Sequence, residues 1–243
     1  MSDNSTQIAL ITGATDGIGK ETARQLAEKG VRVIIGARNL EKGATVIEEF
    51  KTSGLEMELV ALDVTSNASV TAAAQELEAR HGRIDILINN AGIALDRGPL
   101  ADMPVEEFEL TFQTNVFGTF RATRAFLPLL RKSAHGRIVN VSSSLGSLWT
   151  MTDEKSPWYQ VVIPAYAASK AAINAMTVHF ARELKDTGIK INAVEPGLTA
   201  TRAVKLPGAQ PVSVGAEASV HYALIDDNGP TGGFFDRNGP YAW

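Results

Sequence analysis

The most constraining stretch lies near the N-terminus. Gln7–Thr12 is a short apolar run, and Gly13-Ala14-Thr15-Asp16-Gly17-Ile18-Gly19 follows it. Lys20–Lys29 then carries apolar residues at helical spacing and stops at Gly30. Strand, glycine-rich turn and helix in that order predict a βα unit. Glycines let the backbone turn sharply and approach a ligand closely, and a helix N-terminus favours a phosphate. The spacing T-G-x-x-x-G-x-G is a variant of the dinucleotide-binding G-x-G-x-x-G with the same mechanics. An ordinary strand-to-helix turn is the plainer reading, and the three glycines in this context weigh against it.

The alternation continues. Strands are predicted at Val31–Gly36, Glu58–Leu62, Ile84–Asn89, Gly136–Ser143 and Lys190–Val194, with a short last one at Gly232–Phe235. Helices are predicted at Asn39–Ser53, Ser66–His81, Met103–Leu130, Ala165–Thr187 and Gly215–Leu224. This pattern implies an α/β, Rossmann-like, doubly wound sheet of about seven mostly parallel strands with helices on both faces. Leu145–Pro164 reads as a long loop, and the Pro/Gly-rich Leu206–Val214 as mobile. With no linker or repeat in view, residues 1–243 are expected to form a single domain with an insertion at about 145–164.

Composition removes whole classes of function. The chain has no Cys, and its four His are far apart in sequence, so thiolate and His-cluster metal sites are not expected. A net charge of −4 with no dense basic cluster argues against nucleic acid as a partner. There is no basic flank with a long apolar run at the N-terminus and no stretch of membrane-helix length. A cytoplasmic protein is the default expectation.

In such a sheet, ligands bind at the carboxyl ends of the strands. Asp63, Asn90 and the serine pair Ser142-Ser143 all fall there. The second strand runs into Arg38 with no carboxylate before Glu41; the missing acid and the nearby guanidinium point to NADP rather than NAD. Asn115 lies among largely apolar neighbours in mid-helix, where an Asn without a special role faces solvent. Tyr166 and Lys170 are four residues apart, which puts both on one helix face. A nearby cation favours the phenolate and moves the phenol toward the range of efficient acid-base catalysis. Taken alone the pair reads as an ordinary surface pair; the rest of the chain reverses that.

Together these residues resemble the short-chain dehydrogenase/reductase family. The resemblance rests on Thr12-Gly13-x-x-x-Gly17-x-Gly19, Asp63-Val64, Asn89-Asn90-Ala91-Gly92, Asn115, Ser143, Tyr166-x-x-x-Lys170 and Pro196-Gly197. The closing Gly232-Gly233-Phe234-Phe235 and Trp243 look like its carbonyl reductase branch.

The resemblance implies roles. Tyr166 would donate the proton to a carbonyl oxygen, Lys170 would lower its pKa and bond the nicotinamide ribose, and Ser143 would bond the substrate oxygen. Asn115 would hold a water of the proton relay. Gly13, Gly17 and Gly19 would cradle the diphosphate, with Thr15, Asp16 and Ile18 of the same turn also at the cofactor. Asp63 and Val64 would contact adenine and Asn90, Ala91 and Gly92 the adenosine side, while Pro196, Gly197 and Thr201 would lie at the nicotinamide end. Ser142 competes with Ser143; the family's serine sits three residues after the position of Asn140.

Two departures matter. Asp16 stands where many NADP-dependent members carry a basic residue, and the connection from Ser143 to Tyr166 is longer than usual. Trp149, Trp158 and Tyr159 in that connection are candidate walls of a substrate pocket. The insertion is also expected to cover the helices through which oligomeric members pair, which favours a monomer.

The reading that follows is an NADPH-dependent reductase of a small ketone or aldehyde. An NAD(P)-dependent alcohol dehydrogenase working oxidatively and a non-catalytic NADP-sensing protein are the alternatives. A serine hydrolase would want G-x-S-x-G, and the sequence around Ser142–Ser144 lacks the first glycine.

Overall fold

The computed structural model describes residues 6–96, 98–202 and 204–243. The predicted alternation is there. β1 (Ile8–Thr12), β2 (Arg32–Ala37), β3 (Met57–Ala61), β4 (Ile86–Asn89), β5 (Arg137–Val141), β6 (Lys190–Val194), β7 (Phe234–Asp236) and β8 (Gly239–Pro240) form one sheet. Its order is β3-β2-β1-β4-β5-β6-β7-β8. All neighbours pair in parallel except β7 and β8. The two-residue β8 goes beyond the expected set: it is too short for a periodicity to show.

The main helices start and stop on local chemistry. In α1 (Gly17–Glu28), Gly19, Thr22, Ala23 and Leu26 are buried at helical spacing, and Asp16 caps the N-terminus. Asn39 Oδ1 caps α2 (Leu40–Thr52), accepting from Lys42 N at 2.9 Å. Ser66 Oγ caps α3 (Asn67–His81), and Gly82 ends it with φ 74°, a backbone glycine adopts without strain. One apolar layer packs α3 and two later helices on one sheet face through Leu77, Phe126 and Ala181. A second packs α1 and α2 on the other through Leu26 and Val46. Fully buried side chains such as Leu26, Phe126 and Ile35 each stabilise the fold by about 1.5–3 kcal/mol.

The long helix expected at Met103–Leu130 is not continuous. α4 (Val105–Phe112) passes through a π-helical turn at Gln113–Phe117 into α5 (Gly118–Leu130). The wider turn lies around Asn115, whose buried side chain bonds elsewhere; periodicity does not register one added residue.

Leu145–Pro164 is less irregular than expected. A 3₁₀ turn at Ser144–Gly146 leads to the short α6 (Leu148–Thr152), capped by Ser147 Oγ. α6 packs on that turn, and Trp149 N donates to Trp243 O at 3.0 Å. The covering role expected of the insertion is not evident: Phe117 and Phe120 stay 44% and 41% exposed on the α5 side.

α7 (Pro164–Glu183) carries Tyr166 and Lys170. The segment read as mobile is tied down at Gln210, which bridges Thr199 in parallel and leads into α8 (Val212–Gly215) and α9 (Glu217–Ala223). Among the described residues no helix is long and apolar enough to cross a membrane, and no group of metal-ligating side chains comes together.

Candidate active site

The crevice lies where the sheet order reverses, between the carboxyl ends of β1 and β4. The glycine-rich turn follows β1, with Gly13 at φ 65° and Gly17 at φ 54°, both favoured only for glycine. A Cβ on Gly13 would come within 2.9 Å of Ala91 Cα, and one on Gly19 within 2.3 Å of Asn90 Nδ2. The turn therefore packs directly on the loop after β4. Asn90 Nδ2 donates to Thr12 O at 3.0 Å and Gly13 O at 3.1 Å, while Thr12 Oγ1 accepts from the backbone N–H of Asn90 and of Ala91. Asn90 thus holds the turn. Thr12, which opens the glycine-rich motif in the sequence, is the acceptor of this clamp.

Asp16 accepts from Gly17 N at 2.8 Å and pairs with Arg202 at 3.0 Å. The pair links the glycine-rich turn to the loop after β6. Thr201 is also there, 3.3 Å from a Cβ placed on Gly17. Thr15 belongs to the same turn, and Ile18 lies in the first turn of α1, where its carbonyl accepts from Thr22 Oγ1.

Arg38 and Asp63 converge at the ends of β2 and β3. Asp63 lies below the usual carboxylate range, first through the Thr65 hydroxyl, then the Thr65 amide, with Arg38 and Arg121 adding attraction. Val64 is buried against Gly118 of α5.

The residues past β5 converge on α7. Ser142 Oγ turns inward, donating to Asn174 Oδ1 at 2.6 Å. Ser143 Oγ is half-buried, accepts from Leu145 N at 3.2 Å and shares a hydrogen bond with the Tyr166 hydroxyl. Lys170 is 4% exposed and donates from Nζ to Val141 O at 2.7 Å. A Cβ on Gly146 would meet the Lys170 backbone at 2.7 Å, so the turn after β5 and α7 are in tight contact.

Asn115 is fully buried rather than facing solvent. Its side chain brackets Ile93, accepting from Ile93 N at 2.8 Å and donating to Ile93 O at 2.9 Å, and it also reaches Ser169 Oγ at 2.9 Å. Gly92 borders both Asn115 and Lys170.

Beneath the site a polar ladder crosses the core, from Asn89 to Asn140 at 2.8 Å and from Asn140 to Thr177 at 2.9 Å. Two acids were not singled out from the sequence. Asp96 is fully buried and accepts from Ala165 N at 2.9 Å at the start of α7. Glu195, at the end of β6, is 6% exposed. A carboxylate ending an apolar strand was the available signal for Glu195.

The electrostatics differ from the expected pairing. Burial pushes the Tyr166 phenol up, the Glu195 carboxylate adds to the rise, and the Ser143 bond opposes it. Burial pulls Lys170 down to about 8 while Glu195 raises it. The aromatic candidates are less buried than this cluster: Trp149 is 63% exposed on α6, Tyr159 is exposed and Trp158 is half-buried.

The short chain dehydrogenase family model matches residues 7–210. The chain belongs to that family. It is 33% identical to (−)-isopiperitenone reductase of Mentha piperita, covering 95% of this chain and 96% of that protein. Among solved structures, ElxO with NADP bound superposes with a TM-score of 0.84 at 28% identity, covering 96% of this chain and 97% of that one. NADPH-bound carbonyl reductase from chicken fatty liver gives 0.84 at 25% identity, covering 98% and 99%. The protein is therefore a short-chain dehydrogenase/reductase on a Rossmann-like fold.

Proposed function

We propose that this oxidoreductase uses NADPH to reduce a ketone or aldehyde to an alcohol, with Tyr166 as proton donor. The observation that carries the reading is the Tyr166 phenol, kept protonated by burial and bonded to Ser143 beside Lys170. The residues present suit the cofactor: two positive-φ glycines at an α-helix N-terminus for a diphosphate, and exposed Arg38 at the end of β2 for a 2′-phosphate. Solved neighbours holding NADP or NADPH support the same choice.

Bound NADPH would supply the hydride that reaches the carbonyl carbon. Ser143 and Tyr166 would both donate to the carbonyl oxygen, stabilising the charge that develops there. Tyr166 then passes its proton to that oxygen. The Lys170 ammonium, held at the Val141 carbonyl, adds positive potential beside the phenol. Asn115 and Ser169 fix the loop at Ile93 and the first turns of α7 against each other, which keeps Tyr166 in place. At least one of Trp149, Trp158 and Tyr159 is proposed to form part of the substrate wall. Residues 1–243 are read as one domain, cytoplasmic in location. Assembly as a monomer remains part of this proposal, although exposed Phe117 and Phe120 lend it no support.

A phenol held in its acid form suits reduction better than oxidation, which needs a base at that position. An oxidative dehydrogenase is the second reading. NADPH absorbance followed over a panel of ketones, aldehydes and diketones tests the proposal. Consumption with at least one carbonyl is expected. NADPH binding without turnover of any compound would favour a cofactor sensor.

A further inference from the structure

One carboxylate ties together the two loops that flank the candidate site. Glu195 Oε1 accepts from Gly197 N at 2.7 Å, in the turn after β6. Its Oε2 accepts from Ser144 N, in the turn after β5 that also presents Ser143. The charged and titratable groups acting with it come from every side: Lys170 and Tyr166 from α7, Asp236 from β7, and Tyr241 beyond β8. No histidine is among these partners. A carboxylate this buried is costly unless its oxygens are satisfied, and two backbone amides satisfy them here.

We infer that Glu195 is a positioning residue whose ionised carboxylate holds the Ser143 turn in register with the Pro196–Gly197 turn, and that its protonation releases that hold. The inference rests on the reductase reading of the site. Ionised, the carboxylate is acceptor-only and serves both amides. Protonated, one oxygen becomes a donor facing an N–H, and the bridge between the loops weakens. Burial pushes this carboxyl up to about 7, against the pull of the Gly197 and Ser144 amides and Lys170. The release therefore falls near neutral pH. Tyr166 stays protonated through that range and gives no acid limb of its own, while Lys170 at about 8 would act on the alkaline side.

The test compares the parent with Glu195→Gln and Glu195→Asp from about pH 5.5 to about pH 8.5, a window that brackets the ionisation on both sides. In the parent, kcat/KM should fall about tenfold per pH unit below the Glu195 ionisation. Glu195→Gln has one acceptor oxygen for two amides and no charge. It should be slower by on the order of 10–100-fold, through loss of alignment, and flat on the acid side. Glu195→Asp keeps the charge with shorter reach and should keep an acid limb at reduced rate. A parent without an acid limb, or the same limb in Glu195→Gln, overturns the inference.

Hydrogen exchange provides a readout independent of turnover. Protection at the Ser144 and Gly197 amides of the parent should drop as pH falls through the same ionisation. Constant protection overturns the inference even where Glu195→Gln does not fold. If no carbonyl is reduced, the reductase reading fails, and amide protection still decides the role of Glu195.

Discussion

Lys170 Nζ lies 5.3 Å from the centre of the Tyr166 ring and donates to the Val141 carbonyl oxygen at 2.7 Å. The two side chains share a helix face, as four-residue spacing requires. Yet the ammonium is engaged by the end of β5, and burial with the Glu195 anion dominates the phenol. Burial and the Glu195 charge therefore favour the protonated phenol, which fits the proton-donor role proposed for Tyr166.

From this follows the first prediction. Tyr166→Phe removes the donor hydroxyl and leaves the ring packing. It should lower kcat/KM by on the order of 10²–10⁴-fold, the usual worth of a positioned general acid. NADPH affinity measured by fluorescence should stay close to that of the parent. Similar reduction rates in mutant and parent would remove Tyr166 from the mechanism.

Arg38 carries the second. It follows a strand with no acidic residue at its end and acts electrostatically on Asp63. Arg38→Ala should weaken NADPH binding by on the order of 1.5–3 kcal/mol, the range for a hydrogen bond to a charged group. NADH binding should change little. Titrating both cofactors checks it, and an unchanged preference would mean another residue reads the 2′-phosphate.

Much of this was legible in the sequence because it depends on local pattern. The βα alternation, the glycine-rich turn, the helix starts at Asn39 and Ser66, and the Tyr166–Lys170 spacing are all short-range features. What the sequence did not show depends on contacts between distant segments. The π turn at Asn115 arises beside a side chain that reaches Ile93 and Ser169. Glu195 is buried with its carboxylate on the Ser144 amide, about fifty positions away in the chain. The elevated Tyr166 phenol follows first from its own burial and then from the Glu195 charge, neither of which spacing alone shows. α6 was missed because five residues hold too little periodicity to separate a helix from a loop.

The buried pair Glu195 and Lys170 gives a third prediction, on stability against pH. Glu195 is raised from its ordinary value to about 7, so its contribution is fully present below about pH 4.5 and lost as pH rises through about 7. Lys170 is depressed to about 8, so its contribution is present above about pH 10.5 and lost as pH falls through about 8. The two together make the site least stabilising between about pH 7 and 8. Urea melts should show a dip there, with on the order of 3 kcal/mol at stake for each group. Glu195→Gln should abolish the fall between about pH 4.5 and 7. A parent whose stability rises steadily across that interval would contradict the assignment.

The last prediction concerns the insertion. Trp149 is large and apolar, yet 63% exposed, and Leu148 beside it is 65% exposed. Their helix is anchored from behind by Ser147 Oγ, which accepts from Thr150 N at 3.0 Å, and by the contact of Trp149 N with Trp243 O. The backbone is therefore fixed while the indole is left uncovered, next to the turn that presents Ser143. Adjacent exposed apolar groups of this kind often mark ligand surfaces. Trp158 is half-buried, which fits an anchoring role better. Trp149→Ala should reorder the carbonyl panel by kcat/KM, with the bulkiest apolar substrates losing most. One removed aromatic contact is worth about 1–3 kcal/mol, a change of about 10–200-fold for the preferred compound. Trp158→Ala should instead lower all rates together and reduce thermal stability. If Trp149→Ala leaves the ranking intact and Trp158→Ala reorders it, the pocket wall is on the far side of the insertion.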